Sequence, residues 1–368
     1  MIEENNNFNI VPEVQKNQAP QPEITADYVN PYSFTPESYH TKIGIRHLAT
    51  IVGIPCILIS VIGYIWSFVY LFFTMKIAGM SYTDAVELSQ NPAMQQMMQI
   101  IISCIIFLVP FTVAAKCAGV RIDNTIQFGK AKHGTALPFI LFGIGFCSFA
   151  NVATSYASKI FEGFGINYEV DFGEEPKGFF GFLITFIATA IVPALVEEFA
   201  CRGIVLGILK KYGEGFAIIT SSIIFGVMHG NFEQIPFAII VGLILGYIYV
   251  KTNSIWICTA VHCVNNAVSV IFTYLQNVVT VNMQNLLYII YLIISMLTAI
   301  FGIYLFAKNT QENYELENKT DTVTQNKKYT WFFTSWAIIV FLCLNICNAL
   351  TYFESFKKII YNIIGSIR

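Results

Sequence analysis

Glu197, Glu198 and Arg202 sit in "PALVEEFACRG", residues 193–203, inside a run that is otherwise apolar on both sides. An ionised side chain at the centre of a bilayer is costly, so such residues usually face a cavity and mark function. Two histidines, His229 and His262, also lie deep in apolar segments, whereas His40, His47 and His133 fall in the tail or near loops. A carboxylate beside a neutral imidazole in a sparingly wet pocket is a general base that can take a proton from water. A second imidazole and an asparagine amide can donate hydrogen bonds to the oxyanion that forms when water attacks an amide carbonyl. That combination is the chemistry of peptide hydrolysis.

The spacing says which groups can cooperate. Glu198 and Arg202, four apart, share one helix face with the acid N-terminal to the base, the favourable order for a pair. Glu197 points about 100° away and is left to meet another helix. If its helix runs on to a stop near Gly213, Glu197 lies about 21 Å before the turn, and His229 lies about 21 Å along the antiparallel helix that follows. His262 enters from a third helix about 15 Å deep. In "HCVNN", Asn266 shares the face of His262. The convergent set is Glu197, His229, His262 and Asn266, with the Glu198–Arg202 pair beside it, and Pro193 is expected to free a carbonyl and kink the segment at that level. Asn266 has an equally good structural reading, because asparagine also holds transmembrane helices together. Phe225, Gly242 and Gly246 read as packing; Asn231 and Glu233 read as a solvated loop or an entrance.

Other chemistries find no support. HExxH and GxSxG motifs are absent, and no aspartate falls in an apolar span, which excludes the paired-aspartate type of membrane protease. The nine cysteines include no CxxC pair and read as small buried hydrophobes. With a net charge of −2 and no basic run among aromatics, nucleic acid is not a partner.

The elements that must position these residues are membrane helices. Hydrophobic residues make up 55% of the chain, charged residues 12%, and the mean hydropathy is +0.60. The fold class is all-α, a polytopic integral membrane helix bundle of about 8–9 transmembrane helices. Spans are expected near 48–75, 97–118, 136–157, 178–211 (too long for one plain span), 216–229, 235–250, 255–275, 286–306 and 329–353. Residues 1–41, rich in Asn, Gln, Pro and Glu, read as a disordered tail. Residues 42–177 form amino-terminal spans, 178–275 a catalytic core and 276–368 the last spans. Most lysines and arginines fall on the side of the amino terminus, which sets that terminus in the cytoplasm. A surface helix is expected around Lys357, Lys358 and Arg368.

"EEFACR", "FGVMH" and "HCVNN" follow, in order, the EExxxR, FxxxH and HxxxN patterns, and the chain between about Gly178 and Phe272 resembles the CAAX-prenyl-protease and bacteriocin-processing (CPBP, or Abi) family of intramembrane proteases. The resemblance implies that Glu197 and His229 activate water, that His262 and Asn266 stabilise the oxyanion, and that Glu198 and Arg202 support the site. It implies no cofactor. Zinc held by Glu197, His229 and His262 is the alternative. The function so implied is an intramembrane endopeptidase acting on a membrane-associated peptide or protein substrate within the lipid bilayer, in the plasma membrane if the chain is prokaryotic. A non-proteolytic bacteriocin-immunity or scaffold protein and a proton-coupled transporter are the rival readings.

Overall fold

A computed structural model describes residues 36–76, 79–129, 131, 135–164, 174–308, 314–317 and 323–353. The described residues form helices joined by turns and loops, with no β-strand. Most of the expected tail, residues 1–35, and the expected surface helix at Lys357, Lys358 and Arg368 lie outside these residues. The tail's last six residues, expected as disordered, instead open the first helix, α1 (Pro36–Lys76).

Beyond α1 come α2 (Tyr82–Gln90), α3 (Pro92–Cys117), a single turn α4 (Ile122–Thr125) and α5 (Ala136–Gly163). The long segment follows as one helix, α6 (Gly178–Tyr212). Then come α7 (Glu214–Val227), α8 (Gln234–Thr252), α9 (Ile255–Val278), α10 (Val281–Lys308), α11 (Gln325–Phe333) and α12 (Trp336–Leu350). Among the described residues seven helices are long and apolar enough to cross a membrane, and α11 with α12 form an eighth candidate bent by 70°. The polytopic all-α bundle is therefore as expected, at the lower end of the expected number of spans.

Two expected spans take a different form. The run around Phe216–His229 is not a full span: α7 has 14 residues, about 21 Å, against a hydrocarbon core of about 30 Å. The apolar sequence continues past Val227, but Gly230 takes a left-handed φ of 63° and the chain turns there. The last span is broken between Phe333 and Trp336, giving the bent pair α11 and α12.

α6 carries the paired glutamates. It holds two π-helical stretches, Phe186–Ile191 and Phe199–Leu206, on either side of the α-helical turns Val192–Glu198. Such stretches are rare and concentrate at functional sites. Pro193 opens the middle stretch and has no N–H to offer the carbonyl of Thr189, four residues back. That carbonyl accepts a hydrogen bond from Asn266 Nδ2 on α9 at 3.2 Å. α6 ends at Tyr212, and Gly213 follows at φ 123°, a conformation that favours glycine, as the stop near Gly213 requires.

The neighbours of α6 are fixed at one end of the bundle by polar contacts. Glu214, buried, is 3.2 Å from Lys210 and 3.5 Å from Lys251, and takes the Glu317 N–H at 2.9 Å. Asn253 closes α8 in a left-handed cap and returns its N–H to Tyr249 O. α7 and α8 then pack closely through Gly242, where an added Cβ would stand 3.0 Å from the Ser222 backbone. The expected packing role of the Gly242–Gly246 face holds.

Candidate active site

Glu198 is completely buried, and its Oε1 accepts from two donors. One is Arg202 Nη1 at 2.9 Å on the same helix, the pair expected from spacing. The other is His262 Nδ1 at 2.8 Å, arriving from α9. The second nitrogen of that ring, Nε2, stands 3.8 Å from Glu197 Oε2. One imidazole thus spans two adjacent glutamates that point to different sides of their helix. A carboxylate oxygen only accepts, so His262 carries its hydrogen on Nδ1, and Nε2 faces Glu197. The 3.8 Å gap is too long for a hydrogen bond. Glu197 keeps 17% of its side chain exposed while Glu198 keeps none, so only Glu197 reaches open space.

Arg202 is held from several sides. Its Nη2 donates to Gly242 O at 3.3 Å, a contact that the bare glycine face of α8 allows. Its guanidinium lies 4.5 Å from the centre of the Phe225 ring, a cation–π geometry that gains strength when desolvated. The same ring meets His229 edge-on at 5.1 Å and His262 edge-on at 5.7 Å. Phe225 is therefore not mere packing but the wall shared by both histidines and the arginine. The FxxxH spacing carries that signal, because residues four apart stack on one helix face.

His229 stands just past the end of α7, half-buried, with Nδ1 at 2.9 Å from Phe225 O. A carbonyl only accepts, so this ring too carries its hydrogen on Nδ1 and presents Nε2 outward. Asn231, read from sequence as a solvated loop or an entrance, is buried: its Nδ2 donates to His229 O at 3.1 Å, and its Oδ1 takes the Gln234 N–H that opens α8. Glu233 beside it is exposed.

Asn266 lies one turn beyond His262 and is tied into a different set of contacts. Besides donating to Thr189 O, it accepts from Asn265 Nδ2 at 3.1 Å, and Asn265 accepts in turn from Asn151 on α5 at 3.1 Å. With Oδ1 engaged by Asn265, Asn266 turns its Nδ2 toward α6. The structure thus joins Glu198, Arg202 and His262 directly, sets Glu197 3.8 Å from the other nitrogen of His262, brings His229 alongside through Phe225, and sets Asn266 one turn beyond His262 against α6. Among the described residues no three His, Cys, Asp or Glu side chains are grouped to hold a metal ion.

Residues 179–268 match the family described as type II CAAX prenyl endopeptidase, Rce1-like. The match falls on the block that resembles the CPBP family. Over 86 residues the chain is 31% identical to the protein named "Putative membrane peptidase YdiL" of Bacillus subtilis (strain 168), a stretch that covers 23% of this chain. The chain matches 35% of that relative's length. No solved structure matches. The CPBP block runs from α6 to the middle of α9 and contains the two glutamates, Arg202, Phe225, both histidines and Asn266. Asn151, Asn345 and Asn348, which touch it from α5 and α12, fall outside it.

Proposed function

We propose that the protein is an intramembrane endopeptidase in which Glu197 is the general base. In this reading Glu197, with His229, takes a proton from water as the water oxygen bonds to the scissile carbonyl carbon. The electron pair of that carbonyl moves onto its oxygen, and the oxyanion accepts from the second hydrogen of Asn266 Nδ2 and, when the ring is doubly protonated, from His262 Nε2. The carbonyl reforms, the C–N bond breaks, and the proton held by Glu197 passes to the leaving nitrogen. Products are a carboxylate and an amine, with no cofactor consumed.

The observation that carries this reading is the division of labour between the adjacent glutamates. Glu198 is buried and committed to Arg202 and His262, while Glu197 is partly open beside the free nitrogen of the same ring. The substrate is a membrane-associated peptide or protein segment, and the amino terminus lies on the cytoplasmic side.

The purified protein in lipid nanodiscs, incubated with a library of membrane peptides, tests it. Cleavage by the wild type that disappears in Glu197→Gln and His229→Ala is expected. Cleavage that survives both substitutions overturns the assignment. Loss of cleavage on chelation, restored by zinc, overturns the metal-free mechanism alone.

A further inference from the structure

The turn that holds His229 is gripped from outside the CPBP block. Gly230, the next residue, has φ 63°, and its carbonyl accepts from Asn348 Nδ2 on α12 at 3.0 Å. An added Cβ at Gly230 would stand 2.8 Å from Asn348 Nδ2 and 3.3 Å from Asn345 Oδ1, so the two asparagines close directly on the turn. They lie three residues apart on one face of α12. Asn345 is itself anchored, with Nδ2 donating to Ser60 Oγ on α1 at 2.8 Å and to Phe341 O at 2.9 Å.

α11 holds the other end of α7. Lys328, buried, donates to Tyr212 O at 2.7 Å, on the last residue before the α6–α7 turn. The Tyr329 and Phe332 rings pack on Phe216 near the start of α7. The bent pair therefore contacts the α6–α7 turn with one arm and the His229 turn with the other. α7 is too short to be held at both ends by a membrane of ordinary thickness, so its far end depends on protein contacts.

We propose that Asn348 is a positioning residue for His229: by holding the Gly230 carbonyl, α12 sets where the His229 ring stands relative to Glu197. This rests on the endopeptidase reading for its catalytic consequence, but the position of the ring can be measured without it. A displacement of about 1 Å in a catalytic group costs up to about a hundredfold in rate.

The test uses the full-length protein in nanodiscs with isotope-labelled histidine, the His229 and His262 signals assigned by substitution. Asn348→Leu removes the donor at similar size. We expect kcat to fall roughly ten- to a hundredfold with KM unchanged, the His229 signal to shift or broaden, and the His262 signal to stay. Asn348→Gln, which keeps a donor, should recover part of the rate. If Asn348→Leu fails to fold, Asn348→Asp keeps the shape without the N–H and serves the same comparison. An unmoved His229 signal, or His229 and His262 signals lost together with a lowered Tm, overturns the proposal. If the wild type cleaves no peptide, the endopeptidase reading fails, and the two histidine signals alone decide the positioning role.

Discussion

Asn266 Nδ2 donates to the carbonyl of Thr189, the carbonyl that faces Pro193 across one helical turn. A proline inside an apolar membrane helix takes away a backbone donor, and in hydrocarbon no water replaces it. A side chain from α9 supplies the donor instead, and thereby fastens α9 to α6 about two turns before the paired glutamates.

A double-mutant cycle tests that link. Asn266→Ala should destabilise the protein by about 1–3 kcal/mol, the cost of leaving a buried carbonyl short of a partner. In a Pro193→Ala background residue 193 regains its N–H, so the same Asn266 substitution should cost less, with a coupling of about 0.5–3 kcal/mol. Denaturant unfolding in detergent measures all four proteins. Strictly additive losses would show that Pro193 and Asn266 act independently.

The two glutamates should fail in different ways. Glu197→Gln is expected to leave Tm near that of the wild type while abolishing peptide cleavage. Glu198→Gln leaves Arg202 without its buried anionic partner and loosens His262, and breaking such a pair costs about 3–5 kcal/mol. Thermal unfolding and cleavage, measured side by side on the two variants, separate the roles. Equal Tm losses would contradict the burial difference between these neighbours.

Much of this site was legible from spacing, and the reasons are local. Glu198 and Arg202 pair because four residues return a helix to the same face. The same arithmetic leaves Glu197 to face another helix, and it stands 3.8 Å from His262 on α9. The contacts between distant segments were not legible. Nothing in "HCVNN" says that His262 takes Glu198 with one nitrogen and faces Glu197 with the other. The π-helical turns lie in runs such as "FIATAI", whose residue types do not separate them from ordinary helix. The shortness of α7 was hidden because hydropathy carries on to Met228, while the turn is set by Gly230 and by asparagines more than a hundred residues later. Asn345 and Asn348 stand in an apolar run whose sequence does not mark them as neighbours of the His229 turn.

Phe225 should couple both histidines. Phe225→Leu keeps an apolar side chain but removes the aromatic face from Arg202 and the ring contacts to His229 and His262. The expected loss is about 1–3 kcal/mol, combining a desolvated cation–π contact with lost aromatic packing. Both histidine signals should move in a labelled sample, in contrast to Asn348→Leu, where only His229 should respond. A change confined to one histidine would contradict the shared wall.

Gly242 joins helix packing to the site. An added methyl would stand 2.9 Å from Ser222 Cβ and 3.0 Å from Ser222 Cα, so α7 and α8 must separate to admit it. The carbonyl of the same residue accepts from Arg202 Nη2, so any such movement also draws an acceptor away from the buried guanidinium. Gly242→Ala should therefore cost more than the helix propensity of alanine returns, about 1–3 kcal/mol net from overpacking. It should also lower cleavage in proportion to the disturbance at Arg202. Gly246→Ala is the control, because its added Cβ meets only side-chain atoms of Ile218 and Leu206, at 3.1 Å or more, and no backbone. Unfolding midpoints for the two variants should differ clearly, with Gly242→Ala the lower; equal midpoints would show that the α7–α8 contact yields without moving Arg202.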